Sequence, residues 1–301
     1  MKLEGRAALV TGASQGMGRA AALLFAKEGA NVAIVDVQGE KAQQVADEVK
    51  ALGRKGIAVT CDVSQEDQVK RAIDTAADAF GRLDILMNNA GIVGQGPQVV
   101  RVCLLGVYYG CRNAIPLMIK QGGGVIVNNA SNQAVYPPLS LAFFQLMDLL
   151  KENADEIPAK LLEDFAAHPN PYAPAKRGVV ELTRFYAVKY GRKNIRVNCV
   201  APGFVQTELV KGAWAYEDRK QALFDATPMG RLAQPEEMAP VFLFLACDDS
   251  SFMTGETLVV DGGGVAMAKP GAAWSPRYWA PIVPGAWGWA SAPGPLNTYD
   301  L

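Results

Sequence analysis

Seven short runs of apolar and β-branched residues, separated by longer stretches with helical spacing, constrain this chain more than any other feature of its sequence. The runs are Ala7 to Thr11, Asn31 to Asp36, Ile57 to Cys61, Leu83 to Asn88, Val125 to Asn129, Ile195 to Ala201 and Thr257 to Asp261. Several are apolar throughout, as strands are when helices cover both faces of a parallel sheet. Between them, Gly16 to Glu28, Glu40 to Leu52, Glu66 to Phe80 and Ala173 to Tyr190 carry helical apolar spacing and good helix formers. The alternation predicts a doubly wound α/β sheet, in which ligands bind at the carboxyl ends of the strands.

Two stretches break the alternation. Pro137 to Pro174 contains the helical patterns Leu139 to Leu150 and Pro158 to Ala167 where a short loop would suffice, and it reads as an inserted helical flap. The tail from Val265 to Leu301 has few charges, many prolines and four of the five tryptophans: Trp274, Trp279, Trp287 and Trp289. It cannot form a core of its own, yet it is too aromatic for an ordinary linker. The expected organisation is one α/β domain over 1–264, with the insert as a lid at 137–171, and an extension over 265–301.

The charge balance excludes several classes of partner. With 29 Lys and Arg against 30 Asp and Glu, the net charge is −1. No basic cluster marks nucleic acid or an anionic membrane as a partner. The longest strongly apolar run noted, Val241 to Cys247, is far short of a membrane span. The charged start, Met1 to Arg6, does not resemble a signal peptide, so a cytoplasmic location is expected. Cys61, Cys103, Cys111, Cys199 and Cys247 are scattered, which indicates neither a disulfide framework nor a metal site. His168 is the only histidine and lies in a polar stretch near prolines, so a Ser-His-Asp mechanism is not expected.

The turn after the first strand, Thr11-Gly12-Ala13-Ser14-Gln15-Gly16-Met17-Gly18, opens a helix. Glycines there let the backbone approach a pyrophosphate, and the helix amino terminus offers free N–H groups to the anion. Gly12, Gln15, Met17 and Gly18 are therefore candidate cofactor contacts. Asp36 ends the second strand, where a carboxylate accepts hydrogen bonds from an adenosine ribose diol and repels a 2′-phosphate. Val37 supplies no compensating charge, so NAD is expected in preference to NADP.

Gly12-x-x-x-Gly16-x-Gly18 and Asn88-Asn89-Ala90-Gly91, with Tyr172-x-x-x-Lys176, Asn198 to Gly203, Pro228 to Arg231 and Asp261-Gly262-Gly263, resemble the short-chain dehydrogenase/reductase family. The resemblance implies a single Rossmann-like domain. It also implies Asp62 and Val63 at the adenine, Asn89 and Gly91 beside the cofactor, and Pro202, Val205 and Thr207 near the nicotinamide. A second reading of Asp62 is that it caps the helix beginning near Gln65.

Oxidising a secondary alcohol needs a base beside the carbinol oxygen. Tyr172 and Lys176 stand four apart on one helical face, so the ammonium is expected to favour the phenolate and to reach the nicotinamide ribose. In the family, a serine at the position of Ser131 hydrogen-bonds the substrate oxygen. Ser131, Tyr172 and Lys176 are thus the expected catalytic residues.

The chain departs from the family in two respects. The asparagine that positions a relay water in the family is here Cys103, which reads as a small buried residue or, alternatively, a reactive thiol. Ser131 and Tyr172 are also 41 positions apart, a longer gap than in ordinary members. That spacing resembles bacterial 3α-hydroxysteroid dehydrogenase/carbonyl reductases and alicyclic terpene-alcohol dehydrogenases. In those proteins the insert lies near the substrate entrance. The resemblance implies a small hydrophobic alcohol or ketone as substrate, of alicyclic, terpenoid or steroid-like character, and a homodimer or homotetramer. The insert's apolar residues serve equally as its own packing or as a subunit interface. Two alternatives stand beside this reading: a broad carbonyl reductase for smaller aryl or acyl ketones, and an NAD-binding regulator without turnover.

Overall fold

The computed structural model describes residues 1–135, 171–211 and 216–267. Its centre is a seven-stranded sheet built from β1 (Ala7–Thr11), β2 (Asn31–Asp36), β3 (Gly56–Thr60), β4 (Ile85–Asn88), β5 (Gly124–Asn129), β6 (Ile195–Pro202) and β7 (Thr257–Val260). All six pairings are parallel, in the order β3-β2-β1-β4-β5-β6-β7. The order reverses between β1 and β4, which opens a crevice at their carboxyl ends.

Helices cover both faces. On one side lie α1 (Gly16–Lys27), α2 (Gly39–Ala51) and Pro235–Ala246; on the other lie α3 (Glu66–Phe80), α4 (Pro97–Lys120) and α5 (Tyr172–Tyr190). Successive strand residues divide between the two layers. Leu9 and Leu86 pack against α3 and α4, whereas Ala8, Val10, Ile85 and Met87 pack toward α1. Double-sided burial is why these strands read as continuous apolar runs. Phe25 and Phe242 are fully buried on the α1 side, each burial contributing roughly 1.5–3 kcal/mol.

The expected strands and the four expected helices match within one or two residues. Among the described residues, three helices of nine residues or more had no boundaries assigned from sequence: α4, Glu217–Asp225 (α6) and Pro235–Ala246 (α7). α4 holds Pro116, and α7 holds Pro235 and Pro240 with an apolar run that shows no helical periodicity. α4 is also long and apolar enough to cross a membrane, with a mean hydropathy of 1.4 over its best window. Most of that window is buried, as in the core helix of a globular domain. Near its start the backbone makes one π-helical turn, Arg101–Leu105.

The lid proposed at 137–171, except Pro171, lies outside the described residues, as do His168 and the tail beyond Met267 with its four tryptophans.

Candidate active site

The crevice at the switch point forms a cavity of about 560 Å³, walled by the turns after β1, β2, β3, β4, β5 and β6. Its floor is the turn from β1 into α1. Gly12 has a φ of +63° and lies so close to the next strand's loop that a Cβ would stand 2.8 Å from the Cα of Ala90. A Cβ on Gly18 would meet the Gly12 carbonyl oxygen at 2.2 Å, so α1 can rest on its own entry turn only if this residue is glycine. Gly18 is not part of the cavity wall; it supports the turn from beneath. Gln15 precedes α1 in an extended conformation and makes no side-chain cap. The N–H groups of the first turn therefore face the cavity beside Gly12, Gln15 and Met17.

Asp36 stands at the end of β2 on the adjoining wall. Its carboxylate accepts hydrogen bonds from the Ser14 N–H (3.1 Å) and the Gln38 N–H (3.0 Å), which hold it almost wholly buried. Val37 beside it is exposed, and Lys176 is the only cation among the described residues lining the cavity. Asp62 and Val63 follow β3. The Asp62 carboxylate accepts from the Ser64 N–H at 2.9 Å, forming a short turn ahead of α3. α3 starts at Glu66, and Asp62 does not bond its first-turn N–H groups, so this is local turn formation rather than helix capping.

Asn89 ties three strand ends together. Its amide donates to the carbonyls of Thr11 and Gly12, each at 3.0 Å, while its Oδ1 accepts from the Asn129 amide at 2.9 Å. The Thr11 hydroxyl accepts from the N–H groups of Asn89 and Ala90. One residue back, the Asn88 amide donates to Asn128 Oδ1, and the Asn128 amide donates to the Thr183 hydroxyl, both at 2.9 Å. This second chain of bonds anchors β4 and β5 to α5.

Ser131 lies just past β5 and is buried. Its Oγ accepts from the Gln133 N–H at 3.2 Å and hydrogen-bonds the Tyr172 hydroxyl. Tyr172 opens α5 and Lys176 follows one turn later, so both project from one helical face into the cavity. The Lys176 ammonium donates to the Asn129 carbonyl at 2.6 Å and stands 5.7 Å from the centre of the Tyr172 ring. Burial pushes the Tyr172 phenol above its ordinary pKa, and the hydrogen bond with Ser131 offsets part of that rise. Burial lowers the pKa of Lys176. This differs from the expected lowering of the tyrosine pKa: desolvation outweighs any help from the lysine, whose ammonium is engaged by Asn129.

Cys103 sits on the π-helical turn of α4 and is fully buried. Its thiol donates to the Ile92 carbonyl at 3.2 Å, and its sulfur accepts from the Ile92 N–H at 3.4 Å. Burial raises its pKa, against a smaller lowering by Lys176. It is a buried structural thiol that holds the loop after Gly91, not a thiolate.

The far wall comes from the segment after β6. Pro202 ends that strand, Val205 pairs with Ala233 in an isolated parallel bridge, and the Thr207 methyl would stand 3.2 Å from a Cβ at Gly16. The structure thus brings every expected site residue except Gly18 to one cavity. Sequence reasoning did not single out Thr11 or Asn129, because polar residues at strand ends are common and their partners lie far away in sequence, nor Gln98 and Gln133, which also line the cavity or its edge.

Residues 6–144 match the family model described as short chain dehydrogenase, and residues 160–264 match the one described as enoyl-(acyl carrier protein) reductase. A 3-oxoacyl-[acyl-carrier-protein] reductase of Thermotoga maritima is 34% identical, over 87% of this chain and 99% of its own length. A mitochondrial borneol dehydrogenase of Lavandula x intermedia is 36% identical, over 87% and 91%. The crystal structure of a hydroxysteroid dehydrogenase from Escherichia coli superposes with a TM-score of 0.71 at 30% identity, over 87% of this chain and 98% of that one. The chain belongs to the short-chain dehydrogenase/reductase family, and it is an oxidoreductase acting on alcohols and ketones.

Proposed function

We propose that the enzyme uses NAD rather than NADP and interconverts a secondary alcohol and its ketone on a hydrophobic alicyclic, terpenoid or steroid-like substrate. The observation that carries the reading is the convergence of Ser131, Tyr172 and Lys176 on the cavity that also holds Asp36 and the uncapped start of α1. These groups fit a dinucleotide. The α1 N–H groups would take the pyrophosphate, Asp36 the adenosine ribose, and Lys176 the second ribose, with Asp62, Val63, Gly91, Val205 and Thr207 lining the remainder.

When bound, the nicotinamide accepts or supplies the hydride. Tyr172 takes the hydroxyl proton during oxidation and returns it during reduction. The Ser131 hydroxyl donates to the substrate oxygen and stabilises the negative charge that develops on it. Because burial favours the neutral phenol, Tyr172 rests in the proton-donating state needed for ketone reduction. Oxidation therefore gains from higher pH.

Apolar side chains of Ile92, Val93, Val102, Phe204 and Leu209 line the cavity and suit a bulky hydrocarbon. The borneol and hydroxysteroid relatives also favour this substrate class. The acyl-carrier-linked relative favours the alternative, a reductase for acyl or aryl ketones. A homodimer or homotetramer is the assembly that the family resemblance favours.

The test follows reduced-cofactor absorbance with NAD and, separately, NADP across steroid, monoterpene, cyclohexanol and aryl secondary alcohols. The expected result is NAD-dependent turnover of bulky alicyclic alcohols, with the NAD preference eroded in Asp36→Ala. Preference for NADP, or turnover confined to small aryl alcohols, would overturn the assignment.

A further inference from the structure

Asn129 carries an acceptor that nothing in the described protein satisfies. The residue is 4% exposed and lines the cavity, and its Oδ1 is fully buried without a hydrogen-bond partner. An unpaired buried acceptor costs roughly 1–3 kcal/mol, so such atoms usually meet a ligand or water.

The network itself decides which end of this amide is free. The Thr11 and Gly12 carbonyls can only accept, so Asn89 must turn its NH₂ toward them. That leaves Asn89 Oδ1 facing Asn129, which must in turn present its own NH₂ there. Asn129 Oδ1 is then the end left without a donor, and no amide flip relieves it without unpairing Asn89. The same residue's backbone carbonyl accepts from the Lys176 ammonium at 2.6 Å, which puts Asn129 at the reacting end of the cavity rather than the adenine end at Asp36 and Asp62.

We infer that Asn129 Oδ1 accepts a hydrogen bond from the nicotinamide-riboside half of the dinucleotide, making Asn129 a further cofactor-positioning residue. The inference rests on the dinucleotide reading of the cavity. The donors in that half are the ribose hydroxyls and the carboxamide NH₂, and the two are separable by experiment.

Calorimetric titration of wild type and Asn129→Leu with ADP, ADP-ribose and NADH tests it without relying on turnover. NADH affinity is expected to fall about tenfold in the variant while ADP affinity stays within twofold. A matching fall for ADP-ribose assigns the ribose hydroxyls; a fall for NADH alone assigns the carboxamide. Unchanged NADH affinity would overturn the inference. So would an equal loss for ADP, because a merely structural role through Asn89 and the Gly12 turn would weaken pyrophosphate binding too. Asn129→Ser removes the amide without adding apolar bulk, and it decides the matter by the same pattern if the leucine variant does not fold. Failure of wild type to bind any of the three ligands would instead refute the dinucleotide reading itself.

Discussion

All five cysteines are buried, and burial raises the pKa of each. Cys61 and Cys199 are pushed up to about 11 and Cys111 to about 12. Thiolates are the reactive form, so a thiol-specific disulfide reagent at pH 8 should find no rapidly reacting cysteine in the native protein and five after denaturation. A fast single-thiol reaction lost in Cys103→Ala would restore the reactive reading of that residue. At this scale the candidate site was legible wherever chemistry is local: the glycine turn, Asp36 at a strand end, and the Tyr172 and Lys176 pair one helical turn apart. Asn129 was not legible, because its orphan oxygen follows from Asn89, 40 positions away, and from two carbonyls beyond that. Cys103 reads from the sequence as a small buried residue and the structure buries it fully, but the π-helical turn that carries it has no compositional mark.

Elements meet closely where the two asparagine pairs cross the sheet. A Cβ on Gly110 of α4 would stand 2.2 Å from Asn88 Oδ1. Asn88 cannot yield freely, because its amide is fixed through Asn128 to Thr183. Helix propensity favours alanine over glycine by about 1 kcal/mol, whereas overpacking costs roughly 1–3 kcal/mol, so the clash wins. Gly110→Ala should lower the denaturation midpoint. Gly191→Ala, at a helical φ of −56° with open space around it, should hold or raise that midpoint. Equal stabilisation by both would mean that Asn88 is not held as described. Strands were easier to read than helices because both sheet faces are covered, which leaves short apolar runs bounded by turns. α7 hid behind Pro240 and a near-continuous apolar stretch, where periodicity is weak, and α4 behind its internal Pro116.

Across the whole molecule, the parallel order that reverses between β1 and β4 gathers six loops at one edge of the sheet. Loops far apart in sequence thereby place the uncapped start of α1, the Asp36 carboxylate and the side chains of Ser131, Tyr172 and Lys176 around one cavity. The proposed chemistry requires Tyr172 to move the proton in an otherwise intact dinucleotide site. Paired measurement of NAD-dependent turnover and NADH binding in Tyr172→Phe tests it most directly. Turnover should fall about 100- to 10,000-fold, the usual range for general acid–base catalysis, while NADH affinity changes by no more than a few-fold. A variant that binds NADH and keeps most of its turnover would remove Tyr172 from the proton's path.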